Sequence, residues 1–175
     1  MYREKYLERL DTRILRNRKL KLPEKGLPGL LVLDMQDYFL SPGSHAFIPS
    51  SPTLLPRLVK LAELFEAREL PVVLTRHLND TSNAGNMGRW WRGIITEKDP
   101  LSRINNAFDT SWPAVIEKTR YDAFHDTALH DLLQEMGVTS LVITGVMTHL
   151  CCETTARSAF NHDYRVVFPV DGTAT

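Results

Sequence analysis

Leu30-Leu31-Val32-Leu33-Asp34 is an unbroken apolar run that stops on a carboxylate. A strand with one wet face alternates apolar and polar residues, whereas a continuous run suits a strand buried on both faces of a parallel sheet. Working outward, the rest of the chain alternates in the same sense. Pro52 to Glu69 carries leucines at 54, 58, 61 and 64 and predicts a helix. Pro71 to Thr75 predicts a second strand, Ala114 to Ile116 a third, Ser140 to Thr144 a fourth and Arg165 to Val170 a fifth. Asp126 to Met136, closed by Gly137, and Leu150 to His162 predict helices between the later strands. Strands separated by helices imply an α/β, three-layer, doubly wound and mostly parallel sheet with right-handed crossovers. Residues 79 to 112, rich in Asn, Gly and Trp, form a connection longer than ordinary, the kind that is functional or disordered.

Upstream, Tyr2 to Leu20 sets Leu7, Leu10 and Leu15 among charges and predicts a surface or docking helix; Lys21 to Gly29 reads as a linker. The expected division is residues 1–28 as helix and linker and 29–175 as one domain. At 175 residues the chain can bury roughly two-thirds of its unfolded surface without disulfides or metals. Lys+Arg and Asp+Glu number 21 each, so no net positive field draws nucleic acid or an anionic membrane, and self-association is unopposed. The N-terminus has no apolar core of a secretory signal, and no run approaches the ~20 apolar residues of a membrane span. The two cysteines, Cys151 and Cys152, are adjacent and poorly placed to bridge each other, which suits a reducing, cytoplasmic setting.

Active sites of parallel sheets gather at the carboxyl ends of the strands. Asp34 ends the first strand, Lys118 follows the third, and Cys151 lies after the fourth at the start of a helix. A free thiol of pKa about 8.5 is mostly protonated at neutral pH. A helix N-terminus and a nearby ammonium favour the thiolate, and a lowering of about two units would make it dominant. A carboxylate repels the thiolate, so Asp34 makes sense as the base that takes the thiol proton, with Lys118 balancing the charge. Other readings stand beside these: Asp34 as a helix cap, Lys118 as a solvated lysine, Cys151 as core. Cys152 reads as core. His77, His125 and His162 show no ligand spacing, and His149 is placed to point away from Cys151. Arg89, Trp90, Trp91 and Arg92 would either form a lid or carboxylate clamp or simply pack a loop over the sheet.

Together, three motifs resemble the isochorismatase-like cysteine hydrolase superfamily, which includes nicotinamidases and N-carbamoylsarcosine amidases. They are Leu31-Val32-Leu33-Asp34-Met35-Gln36-Asp37-Tyr38-Phe39, Glu117-Lys118-Thr119-Arg120-Tyr121-Asp122-Ala123-Phe124, and the run from Thr144 through Cys151 to Arg157. The resemblance spans about Gly29 to the last residue. It implies a catalytic triad of Asp34, Lys118 and Cys151, a cis Val146-Met147 bond, and an oxyanion hole from the N–H groups of Met147 and Cys151. It places Phe39, His77, Arg89, Trp90, Trp91 and Val146 around a small-molecule substrate. It also implies sheet order 3-2-1-4-5-6 and a homodimer or homotetramer.

Three departures shape the expected function. Isochorismatases proper, which cleave a vinyl ether, generally lack the cysteine that this chain keeps, so attack on an amide or carbamoyl carbon is favoured. Nicotinamidases bind a metal through Asp-x-His after the second strand; here the stretch is His77-Leu78-Asn79, and neither metal nor cofactor is expected. The sequence stops after the fifth strand, so the last strand of the family order is expected to be missing. The rivals are a vinyl ether hydrolase with Asp34 as acid, and a catalytically inactive binding or assembly member.

Overall fold

The computed structural model describes residues 26–91, 93–111 and 113–175. The expected N-terminal helix, Arg92 and Trp112 lie outside the described residues. Strands β1 (Leu27–Leu33), β2 (Val72–His77), β3 (Ala114–Lys118), β4 (Val138–Val146) and β5 (Arg165–Val167) form a wholly parallel sheet in the order β3-β2-β1-β4-β5. Helices α1 (Asp37–Leu40), α2 (Ser51–Glu66), α3 (Met87–Trp90), α4 (Leu129–Glu135) and α5 (Glu153–Asn161) make the connections.

The apolar run is explained by its two neighbours in space. Leu30 and Val32 pack into one cluster with Leu54 and Leu58 of α2, while Leu31 and Leu33 pack into a second with Leu129, Leu133 of α4 and Ala159 of α5. Successive strand side chains alternate faces, so helices on both faces demand an apolar residue at every position. All four are at most 1% exposed. Burying a side chain of this size stabilises the fold by about 1.5–3 kcal/mol.

Four boundaries differ from expectation. β1 begins at Leu27, inside the stretch read as linker, because register with β4 extends from Leu27↔Val138 to Leu33↔Gly145. β5 stops at Val167 rather than Val170. The expected strand order holds through its fifth member, and a two-residue strand β6 (Thr173–Ala174), not anticipated, pairs with β4 beyond the end of β5 instead of extending the sheet past it. β6 therefore lies along the same edge of β4, in line with β5. Lastly, the long 79–112 connection is built rather than loose: it holds α3 and a 3₁₀ turn (Pro100–Ser102), and Ile104 pairs with Gln36.

Where β4 passes the end of β1 the backbones nearly touch. Gly145 has φ +110°, and a Cβ there would lie 2.1 Å from the Leu33 carbonyl oxygen. Only glycine allows this approach, which sets the residues after β4 beside Asp34. Gly145→Ala is expected to destabilise the fold by about 2–5 kcal/mol, read as a fall in thermal midpoint on the order of 10 °C; an unchanged midpoint would contradict the packing described.

Candidate active site

The chain leaves β1 through Asp34, whose φ of 52° lies in the left-handed region that Asp tolerates better than most residues. Thr75 of β2 fixes it from both sides: the Asp34 N–H donates to Thr75 Oγ1 at 3.1 Å, and the hydroxyl donates to Asp34 Oδ1 at 2.6 Å. Lys118 closes β3, two strands away. Its side chain crosses the end of β2 and brings Nζ to 2.8 Å from Asp34 Oδ2, both side chains being wholly buried. Nζ donates to the Arg120 carbonyl at 3.0 Å, to Cys151 Sγ at 3.3 Å and towards His77 Nδ1 at 3.4 Å. By distance the Lys118–Asp34 contact would pass as a hydrogen bond, but its angles fall short. Asp34 Oδ2 thus holds a charge contact and no directed hydrogen bond.

Cys151 lies in a π-helical turn (Thr148–Cys152) that leads into α5, not in the first turn of an ordinary α-helix. The preceding Val146-Met147 bond is cis, as the resemblance implied. Cys152, fully buried, faces the Thr144 carbonyl in the core.

The electrostatics correct one expectation. Burial pushes the Cys151 thiol up, and the Asp34 charge pushes the same way; the Lys118 ammonium opposes them without winning, and the thiol stands at about 12. Burial would also raise the Asp34 carboxyl, but the Lys118 ammonium beside it holds it below its ordinary value. Lys118 loses to burial and gains more from Asp34 and Cys151, so it stays charged well beyond the usual range. The resting set is carboxylate, ammonium and neutral thiol, not a preformed thiolate. Of the two Asp34 oxygens, Oδ1 accepts from Thr75 and Oδ2 faces Lys118.

His77 is buried, and burial first, then the Lys118 charge, keep it neutral. An ammonium can only donate, so Nδ1 offers its lone pair and the ring proton sits on Nε2, 2.8 Å from Asn79 Oδ1. With one nitrogen facing an ammonium and the other protonated, the ring presents nothing to a cation. Asn79 is in turn held by Asn83 and the Thr119 carbonyl. The donor set at this place does not fit the metal that the Asp-x-His pattern would hold.

Above Cys151 opens a pocket whose walls include Tyr38, Phe39, His77, Asn79, Trp91, Ile95, Tyr121, Met147 and Leu150. Phe39, His77 and Trp91 line it as the resemblance implied, Trp91 donating from Nε1 to the Tyr121 hydroxyl at 3.0 Å. Two expected members do not reach it: Arg89 is exposed on an outer groove, and Trp90 is 78% exposed there. In the single helical turn of α3, successive residues point different ways, and it is Met87 and Trp91 that face inward. Val146 is buried in the core behind the wall. Arg89 and Trp90 line an outer groove that shares Met87, Tyr121 and Leu150 with the pocket.

Several site residues escaped the sequence reading. Thr75 left a signal, a lone hydroxyl in an otherwise apolar buried strand. Gln36, fully buried, accepts from the His77 N–H at 2.8 Å and donates to the carbonyls of His77 and Ser102. Asp37 binds Arg103 at 2.7 Å and Asn105 at 2.6 Å. The residues following Asp34 thereby tie the long connection over the sheet. Nothing in their local pattern announces those partners.

A parallel α/β sheet with cysteine, lysine and aspartate meeting at the carboxyl ends of its strands defines a class of hydrolases. The chain belongs to the Isochorismatase family: the Isochorismatase domain matches residues 28–175. It is 34% identical to nicotinamidase 3 of Arabidopsis thaliana over 87% of this chain and 76% of that one. It is 31% identical to a probable inactive nicotinamidase of the same plant, over 83% and 79%. A crystal structure of a cysteine hydrolase from Pseudomonas syringae pv. phaseolicola superimposes with a TM-score of 0.84 at 27% identity, covering 89% of this chain and 76% of that one. Other curated relatives are matched over about half of their length. Among the described residues no helix is long and apolar enough to cross a membrane.

Two outcomes follow. The carboxylate, with a lowered pKa, stabilises the fold fully above its ordinary 3.8 and loses this as pH falls through the folded value; the ammonium, with a raised pKa, contributes fully below 10.5 and loses this as pH rises. Asp34→Asn, which strands a buried ammonium, should cost about 3–5 kcal/mol in denaturant unfolding at neutral pH, and the loss should shrink towards acid pH. Iodoacetamide labelling of Cys151 should be slow at pH 6 and accelerate up to strongly alkaline pH; fast labelling at pH 6 would refute the neutral resting thiol.

Proposed function

We propose that the chain hydrolyses a small, uncharged amide or carbamoyl compound through a thioester on Cys151. What carries this reading is the thiol held 3.3 Å from a buried ammonium that itself sits 2.8 Å from a carboxylate, at the floor of an apolar pocket. Asp34 takes the thiol proton through Oδ2 as Sγ attacks the carbonyl carbon. The charge developing on sulfur is met by Lys118, and the oxyanion by the N–H groups of Met147 and Cys151. The tetrahedral adduct collapses, the C–N bond breaks, and Asp34 returns the proton to the departing nitrogen. Water then gives its proton to Asp34 and its oxygen to the acyl carbon, and the sulfur leaves and regains its proton. The family's amidases, nicotinamidase 3 among them, support the C–N bond as target.

The pocket narrows the substrate. Its described walls carry mostly aromatic and aliphatic side chains with the Asn79 amide among them, and its one imidazole is neutral. Among the described lining residues a substrate carboxylate would find no cationic partner, and burying it unpaired would cost several kcal/mol. A flat or branched apolar acyl group between Phe39, Trp91 and Ile95 fits the lining. The reading keeps the homodimer or homotetramer of the resemblance, for which Phe160 and Val170 supply exposed apolar surface.

Cys151→Ala should abolish amide turnover, about 10⁴-fold or more, and mass spectrometry of wild-type protein quenched during turnover should find an acyl group on Cys151. Persistence of hydrolysis in Cys151→Ala would favour the vinyl ether reading with Asp34 as acid. Folded wild-type protein inert towards a broad panel of uncharged amides would favour an inactive member.

A further inference from the structure

The ammonium of Lys118 has three protons and four neighbours that want them: Asp34 Oδ2 at 2.8 Å, the Arg120 carbonyl at 3.0 Å, Cys151 Sγ at 3.3 Å and His77 Nδ1 at 3.4 Å. Heavy-atom contacts of hydrogen-bond geometry are made to the last three. The nearest and most highly charged acceptor goes without, and Asp34 Oδ2 is one of two buried side-chain oxygens or nitrogens among the described residues with no hydrogen-bond partner. An unserved buried carboxylate oxygen is costly and calls for an account.

We infer that His77 is a positioning residue that draws one Lys118 proton away from Asp34 Oδ2, so that this oxygen stays open to receive the thiol proton. The inference rests on the reading of Asp34 as base. Hydrogen-bonding the carboxylate would stabilise its charged form and weaken it as a base. His77 prevents that only while Nδ1 carries a lone pair. The Asn79 carbonyl oxygen fixes this tautomer by accepting from Nε2, and Asn83 and Thr119 fix Asn79. Gln36, through the His77 backbone N–H and carbonyl, anchors the residue itself. A chain of contacts thus runs from the covering connection, through Asn79 and His77, to the ammonium. The groups facing the Asp34 carboxylate are Lys118, His77 and Cys151, with the Thr75 hydroxyl on the other oxygen. The stretch whose residues do not fit a metal is then used otherwise, to orient a proton donor.

Two measurements on the intact chain test this. Nitrogen NMR of the His77 ring at neutral pH should show a neutral imidazole protonated at Nε2; a proton on Nδ1, or on both nitrogens, overturns the inference whether or not any substrate is known. His77→Leu removes the acceptor and should lower kcat about tenfold or more with KM changed less than twofold. His77→Asn, whose Oδ1 takes the place of Nδ1, should keep kcat within about threefold of wild type. Equal losses in the two variants, or an effect on KM alone, would make His77 a packing or binding residue and overturn the inference. Wild-type protein without amide turnover but with the Nε2 tautomer would instead count against the proposed function and leave the proton arrangement standing.

Discussion

A wholly buried Lys118–Asp34 pair is the constraint on which the rest of the structure depends. Two opposite charges removed from water are tolerable only where each is held by the other and by further polar groups. Thr75 and His77, both on β2, and the Arg120 carbonyl just beyond β3 supply those groups. The pair joins β1 to β3 across β2, so the order of the sheet and the chemistry of the site are set by the same contact. Its field then decides the state of Cys151: the ammonium favours a thiolate, but burial and the carboxylate outweigh it.

This balance suits a nucleophile made on demand. A permanent thiolate beside a carboxylate in an apolar pocket would pay repulsion and desolvation at all times. In the proposed reaction a neutral thiol, with an unserved carboxylate oxygen in the same buried cluster, would defer the charge until a carbonyl arrives to share it. The oxygen remains unserved because a neutral imidazole competes for the same ammonium. The proposed reactivity therefore depends on small geometric details, none of them a property of one residue alone.

The covering connection has a matching logic. Residues 79–112 are pinned to the first motif through Gln36, Asp37, Arg103 and Asn105, and they supply Trp91 and Ile95 to the pocket. The motif that ends β1 thus serves two ends, the carboxylate of Asp34 below and the anchor for the roof above. The wall it produces is apolar, with Arg89 turned to the outside. Which side of a four-residue helix faces inward sets this part of the lining.

Much was legible in the sequence. Four apolar residues ending on Asp34 determined a strand buried on both faces, hence a parallel sheet, because alternation is lost only when helices cover both sides. Placing Asp34, Lys118 and Cys151 at strand ends followed from the order of elements. The edge of the sheet was less legible, since β6 joins β4 through a pairing of two residues that no local pattern marks. The protonation state of the thiol, the tautomer of His77 and the side of α3 that lines the pocket were decided only by tertiary structure. Each depends on distances between residues remote in the chain: burial and Coulomb energy fall off over a few ångströms, and a sequence gives the charges and the period of an element but not the separations on which those energies depend.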